Sequence, residues 1–200
     1  MKSRAKKDKI VIGITGEIAA GKSVAANFLK EKGMQVIDAD KIGHEIIQRD
    51  DVKDQLVKTF GEEILSNGKR VSRQALGEIV FSDLTRLKQL NSIVHPILIN
   101  EIINRINHAQ AKFLVIDAAL LCDWGLDKIC DYTILIIADP SIREQRLVKK
   151  GLTPEKAKKR ILAQRVQCDK IDFVVENNEG CSEFISRIER IWGEMVEERL

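Results

Sequence analysis

Aromatic residues make up only 4% of the sequence, and its apolar positions are filled mainly by Ile, Leu, Val and Ala. That diet suits helices packed on a parallel sheet. No apolar run approaches the roughly 20 residues of a membrane-spanning helix. The four cysteines (Cys122, Cys130, Cys168, Cys181) show no CxxC spacing and no histidines at zinc-site distances,. Nothing in their placement calls for a disulfide, so a reducing cytoplasm is the expected location. Cys122 and Cys130 lie beside apolar runs and are expected as small core residues,. Repeats, low-complexity segments and Pro/Gly-rich linkers are also lacking. The formal net charge is only +3, and much of it falls in residues 1–9 (Lys2, Arg4, Lys6, Lys7, Lys9). No signal-peptide-like apolar segment follows, so this stretch reads as a solvated basic tail. Without interleaved aromatics or a broad basic face, nucleic acid is not an expected partner, and neither is a membrane.

What is present is an alternation of short apolar runs and amphipathic stretches. Ile10 to Thr15, Gln35 to Asp38, Phe113 to Ala118, Tyr132 to Ala138 and Phe173 to Glu176 are rich in Val and Ile and bounded by Gly, Asp, Pro or Asn. They predict five buried strands. Lys22 to Lys32 predicts a helix with Val24, Ala25, Phe28 and Leu29 on its apolar face and Gly33 as its stop,. The alternation implies an α/β fold, a five-stranded parallel sheet with helices on both faces. Between residues 42 and 107 no strand is evident, only helical patterns at Glu45 to Phe60, Ser72 to Phe81 and Leu84 to Ile106. The expected organisation is one domain over 10–200: a core (10–41, 108–148, 171–200), an inserted helical lobe (42–107) and a second, charge-dense insertion (149–170).

The strongest chemical signal is Gly16-Glu17-Ile18-Ala19-Ala20-Gly21-Lys22-Ser23, a G-x-x-x-x-G-K-S pattern between a buried strand and a helix,. Glycines let the backbone wrap closely round phosphates, and consecutive N–H groups at a helix start offer donors and partial positive charge. Lys22 is placed to reach the β- and γ-phosphates, and the Ser23 hydroxyl to meet Mg²⁺. Residues 16–24, ending at Val24, therefore form the expected nucleotide-binding loop of a P-loop enzyme using ATP with Mg²⁺.

The acceptor is a separate question. The Asn-Lys-x-Asp and Asp-x-x-Gly motifs of signalling GTPases are missing. Asp117 ends a predicted strand, where it either holds Mg²⁺ through water or caps the strand end. Val36-Ile37-Asp38-Ala39-Asp40 runs a strand into two carboxylates on the ligand side of a parallel sheet,. If strand geometry continues, the two point the same way, and one accepts the proton of an attacking hydroxyl. The competing reading is a pair of helix caps. A kinase must also exclude water, and the segment 149–170 sits where a basic lid would, with Arg143, Arg146 and Arg165 as its candidate cations.

Taken in order, these motifs resemble the dephospho-coenzyme A kinase family. The resemblance runs from about Ile10 to Ile188. It rests on the P-loop, Asp38-Ala39-Asp40, Arg73-Gln74-Ala75-Leu76, Ile79-Val80-Phe81, the stretch Leu90 to Pro96, Ala119-Leu120-Leu121, Arg160 to Gln164 and Asp172 to Asn177. It implies phosphorylation of the ribose 3′-hydroxyl of dephospho-coenzyme A by ATP. By position, Asp40 is the implied base, supported by Asp38, which acts on the acceptor or the metal. Thr15, Lys22 and Ser23 serve the phosphates and Mg²⁺, with Thr15 also facing the acceptor. Arg146 serves the transition state, Arg73 and His95 shape the acceptor site, and Asn177 lies on the adenine side. The competing reading of His95 is a core histidine before a proline that ends or kinks a helix, and that of Arg73 a surface ion pair. The remaining alternatives are a kinase of another small hydroxyl or nucleotide acceptor, and a nucleotide-dependent switch or ATPase.

Overall fold

The computed structural model describes residues 9–80, 83–164 and 166–197. Residues 1–8 of the basic tail, together with Phe81 and Arg165, lie outside them. In chain order the first elements are β1 (Ile10–Gly16), α1 (Lys22–Glu31), β2 (Gln35–Asp38), α2 (Ala39–Ile46) and α3 (Asp50–Phe60). Next come β3 (Leu65–Ser66), β4 (Arg70–Val71), α4 (Arg73–Val80), α5 (Leu84–His108) and β5 (Phe113–Asp117). The last are β6 (Tyr132–Ile137), α6 (Pro140–Lys149), α7 (Pro154–Ala163), β7 (Phe173–Glu176) and α8 (Cys181–Glu197). The chain divides into two compact units, Met1–Ile37 with Ala109–Leu200, and Asp38–His108.

The first unit is organised by a parallel sheet of strand order β2-β5-β1-β6-β7. β1 is buried along its whole length, as a continuous Ile/Val run flanked by a strand on each side must be. It pairs in parallel with β5 (Ile14 opposite Asp117) and with β6 (Gly16 opposite Ile136). Ile12, Ile14, Val115, Ile134 and Ile136 join Ala25, Ala26 and Leu29 of α1 and Phe184, Ile188, Ile191 and Met195 of α8 in one core. Each large side chain so buried contributes about 1.5–3 kcal/mol. Trp192 meets Phe113 edge-on at 4.6 Å between ring centres. Val24, expected on the apolar face of α1, is instead exposed, and Ala26 takes its place in the core. A small residue there lets the helix lie close to the sheet.

In the second unit α2, α3 and α4 pack on α5. Ile42, Ile46, Val52, Leu56, Phe60, Leu76, Leu98 and Ile102 are among its buried side chains. Helix α5 runs unbroken through Pro96 rather than ending there. Arg105 holds Glu101 one turn away and Glu45 of α2, each at 2.8 Å. Two features differ from the sequence reading. The helical pattern from Glu45 to Phe60 divides into α2 and α3, and the unit contains a hairpin. β3 and β4 pair antiparallel, Leu65 with Val71 and Ser66 with Arg70. They turn through Asn67 (φ 51°) and Gly68 (φ 65°). Two successive positive φ angles define a type I′ turn, for which Asn-Gly is the favoured pair.

Cys122 and Cys168 form a disulfide with a Cα–Cα separation of 5.2 Å. Cys122 is therefore not the free core residue expected from its neighbours. Cys130 is free and buried, and burial pushes its thiol up to about 12, so it is an inert packing group at neutral pH. Among the described residues, no helix is long and apolar enough to cross a membrane.

Candidate functional site

The loop between β1 and α1 borders a cavity of about 460 Å³. Glu17, Ile18, Ala19, Gly21, Lys22, Ser23 and Val24 line it from the loop, with Arg146 and Lys150 from α6 and its end, and Asn177, Glu179, Cys181 and Phe184 from the other side. Two glycines have steric reasons to be there. A Cβ on Gly16 would collide with the Ile136 carbonyl, and one on Gly21 (φ 120°) with the Asn177 amide. Ala19 adopts a left-handed conformation (φ 60°), a cost of the order of 1 kcal/mol for a non-glycine residue. Gly21 begins α1 with no side chain capping it, so the partial positive charge of the helix start remains available to an anion. Val24, displaced from the core, faces this cavity.

The loop is stitched in place on several sides. Glu17 N–H donates to the Ile136 carbonyl at 3.1 Å. Arg146 donates through Nη1 to the carbonyls of Ala19 (3.1 Å) and Ala20 (3.2 Å), and through Nη2 to the carbonyl and Oδ1 of Asn177 (2.9 and 3.1 Å). Asn177 Nδ2 in turn donates to the Ala20 carbonyl at 2.6 Å. The Glu17 carboxylate pairs with Arg143 at 3.2 Å and accepts from the Ala138 N–H at 3.3 Å. The Ile18 N–H donates to the side-chain carbonyl of Gln164, which follows α7. Gln164 thus occupies one N–H donor of the phosphate loop.

Thr15 does not line this cavity. It is only 1% exposed, and its hydroxyl donates to the Ala119 carbonyl at 3.3 Å. It therefore ties the loop after β5 to the end of β1. Asp117 ends β5, in register with Ile14. No three His, Cys, Asp or Glu side chains among the described residues form a ready-made cation site. The donors present suit a metal that arrives on a nucleotide: the exposed Ser23 hydroxyl beside Lys22 in the cavity wall, with phosphate oxygens completing the shell.

The second unit holds the other predicted residues. β2 stops at Asp38 and α2 starts at the next residue. Asp38 is the N-cap of α2, accepting the Lys41 N–H at 2.8 Å. The two carboxylates are thus not two alternate residues of one strand, as expected. Asp40 sits in the first turn of α2, where a carboxylate suits the helix dipole,. One helical turn on is His44, which the motif reading missed. Burial lowers its imidazole pKa below the ordinary 6.5, Arg73 adds to the lowering, and Asp40 and Asp38 oppose it. Arg73 opens α4 and is exposed, and His95 is half-buried inside α5. The helical spacing of Asp40 and His44 was the available signal, and it becomes visible only once α2 is known to start at Ala39.

A family model described as dephospho-CoA kinase matches residues 10–183, spanning both the phosphate loop and the helical unit. The chain belongs to the dephospho-CoA kinase family. Within the family it is similar to the dephospho-CoA kinase of Fusobacterium nucleatum, 35% identical over 185 residues, or 90% of this chain and 96% of that one. The dephospho-CoA kinase of Oceanobacillus iheyensis is 37% identical over 183 residues, 87% of this chain and 92% of that one. A solved structure from Thermus thermophilus matches with a TM-score of 0.81 at 30% identity, covering 94% of this chain and 98% of that one. Membership makes the chain a phosphotransferase, and its phosphate loop is the part this family has in common with P-loop kinases at large.

Proposed function

We infer that the chain transfers the terminal phosphoryl group of ATP to the ribose 3′-hydroxyl of dephospho-coenzyme A, giving coenzyme A and ADP. The observation that carries this reading is that the family match runs through residues 38–108 and not only through the phosphate loop. Phosphate loops are shared among kinases, whereas the acceptor is chosen elsewhere.

In this proposal the loop's N–H groups and the start of α1 take the β-phosphate, and Lys22 follows the γ-phosphate as charge moves onto the leaving oxygen. The Ser23 hydroxyl would hold the Mg²⁺ that accompanies ATP, with Asp117 and Asp38 as candidates for water-mediated contact, and the ion would supply charge neutralisation to the phosphates. Asp40 accepts the proton of the 3′-hydroxyl as its oxygen attacks phosphorus and ADP leaves. Asp38, by capping α2, fixes the helix turn that carries Asp40. Arg73 and His95 contribute to acceptor binding, and His44 feels the charges of Arg73, Asp40 and Asp38. Asn177 and Phe184 border the base side of the cavity. The basic segment 149–170 serves as the lid, with Lys150 already in the cavity wall, and Gln164 must release the Ile18 N–H before phosphate enters.

The test is ADP release from ATP and Mg²⁺ with and without dephospho-coenzyme A, with mass spectrometry of the product. Acceptor-dependent release and a product heavier by one phosphate are expected. Nucleotide binding with no stimulation by this acceptor points to a kinase of another hydroxyl compound. Release that is indifferent to any acceptor points to an ATPase or switch.

A further inference from the structure

Two arginines one turn apart on α6, Arg143 and Arg146, reach the same loop. We propose that both are positioning residues for the phosphate loop: Arg143 neutralises an acidic residue the loop carries, and Arg146 holds its backbone in the anion-binding shape. The inference rests on reading the cavity as the nucleotide site.

Glu17 is an unfavourable residue for a phosphate loop. It lines the cavity, and an unpaired carboxylate there repels a polyphosphate. Its two oxygens are both engaged, one by Arg143 at 3.2 Å and the other by the Ala138 N–H at 3.3 Å. The Arg143 side chain is 6% exposed, and its Nε has no hydrogen-bond partner among the described residues. A guanidinium so buried requires its counter-charge, and removing either member leaves the other uncompensated. The pair therefore lets the loop carry an acid without presenting negative charge to the nucleotide.

Arg146 acts on the other end of the loop. When successive N–H groups converge on an anion, the carbonyls between them must turn away from it. Arg146 gathers two of those carbonyls, Ala19 and Ala20, and links them to Asn177, which itself holds Ala20. The strained residue, Ala19, is among those held. With both Nη atoms engaged by the loop and Asn177, the guanidinium acts through the loop's shape. This differs from the transition-state role that the family resemblance implies for Arg146.

ADP separates the two roles, because it lacks the transferring group. The measurement is ADP affinity by calorimetry, the acceptor-dependent kcat, and amide hydrogen exchange over 17–24 in nucleotide-free protein. The proteins are wild type, Arg146→Ala, Arg146→Lys, Arg143→Gln and the double variant Glu17→Gln/Arg143→Gln. Arg146→Ala is expected to weaken ADP binding about tenfold or more and to speed exchange in the loop. Arg146→Lys, which keeps the charge but loses the fork, is expected to fall between. Arg143→Gln is expected to weaken ADP binding, and adding Glu17→Gln to restore much of it. Unchanged ADP affinity and loop exchange in Arg146→Ala, with only kcat reduced, overturns the clamp. A double variant that binds ADP no better than Arg143→Gln overturns the charge-neutralising role. Should Arg146→Ala fail to fold, Arg146→Lys and the double variant carry the same comparisons. Wild-type protein that binds neither ADP nor ATP is a separate result, and it overturns the nucleotide reading itself.

Discussion

The two units carry their candidate groups in different ways: the phosphate loop of the sheet-based one offers N–H donors and a helix start as well as Lys22 and Ser23, and the helical one carries side chains alone. In the first, the loop backbone is held by Gly16, Gly21, Asn177 and Arg146. In the second, Asp40, His44 and Arg73 are single side chains on helices α2 and α4. A backbone site tolerates varied side chains as long as its conformation is kept, which is how Ala19 is accommodated. A side-chain site has no such freedom, because each group is its own donor or acceptor.

The largest test of this contrast is Lys22→Ala, the one cation that the loop itself contributes as a side chain. Steady-state turnover is expected to fall by about 10³- to 10⁵-fold, the range for losing a cation from a transferring phosphoryl group, and ADP affinity should fall as well. Next is Asp40→Asn, expected to lower kcat about 10²- to 10⁴-fold while calorimetry finds ATP binding unchanged. Near-normal turnover in this variant would remove Asp40 as the base. Reducing the Cys122–Cys168 bond should act on the sheet-based unit alone. Closure of a chain loop of this length is worth about 4 kcal/mol in the chain-entropy account, so thermal melts with and without reductant should differ by several degrees. The smallest effect concerns His44. Its folded pKa lies below 6.5, so near that pH the unfolded chain binds more protons than the folded one. Stability from this source is complete above about pH 6.5 and falls as pH drops through the unfolded value towards the lower folded one. His44→Asn should flatten that part of a stability–pH curve; an unaltered slope would show that another group is responsible.

The same contrast explains what was legible in the sequence. Strands Gln35–Asp38 and Phe173–Glu176 appear with the bounds that their apolar runs suggested, but they are the edges of the sheet and each buries a single residue, Ile37 and Val175, rather than being buried strands as expected. The phosphate loop was legible because glycine spacing encodes backbone shape directly. The β3–β4 hairpin was missed because two-residue strands have no period to detect, although Asn67-Gly68 was a turn signal in plain view. The direction of Asp38 and Asp40 was misjudged because β2 gives way to α2 between them, a change that period-2 reasoning does not register. Long-range pairings were out of reach: Glu17 with Arg143, and Cys122 with Cys168, are separated by stretches of chain whose folding brings them together.

The disulfide also sets a length. Gln164 lies four residues before Cys168, so with the bond formed its Cα stays within about 14 Å of the anchored cysteine. At the other end of α7 stands Gly151, in a left-handed conformation (φ 93°) with open space around it. The segment proposed as the lid is therefore tethered on a short leash at its exit and jointed at its entrance. A Gln164 side chain that leaves the Ile18 N–H therefore stays within reach of it.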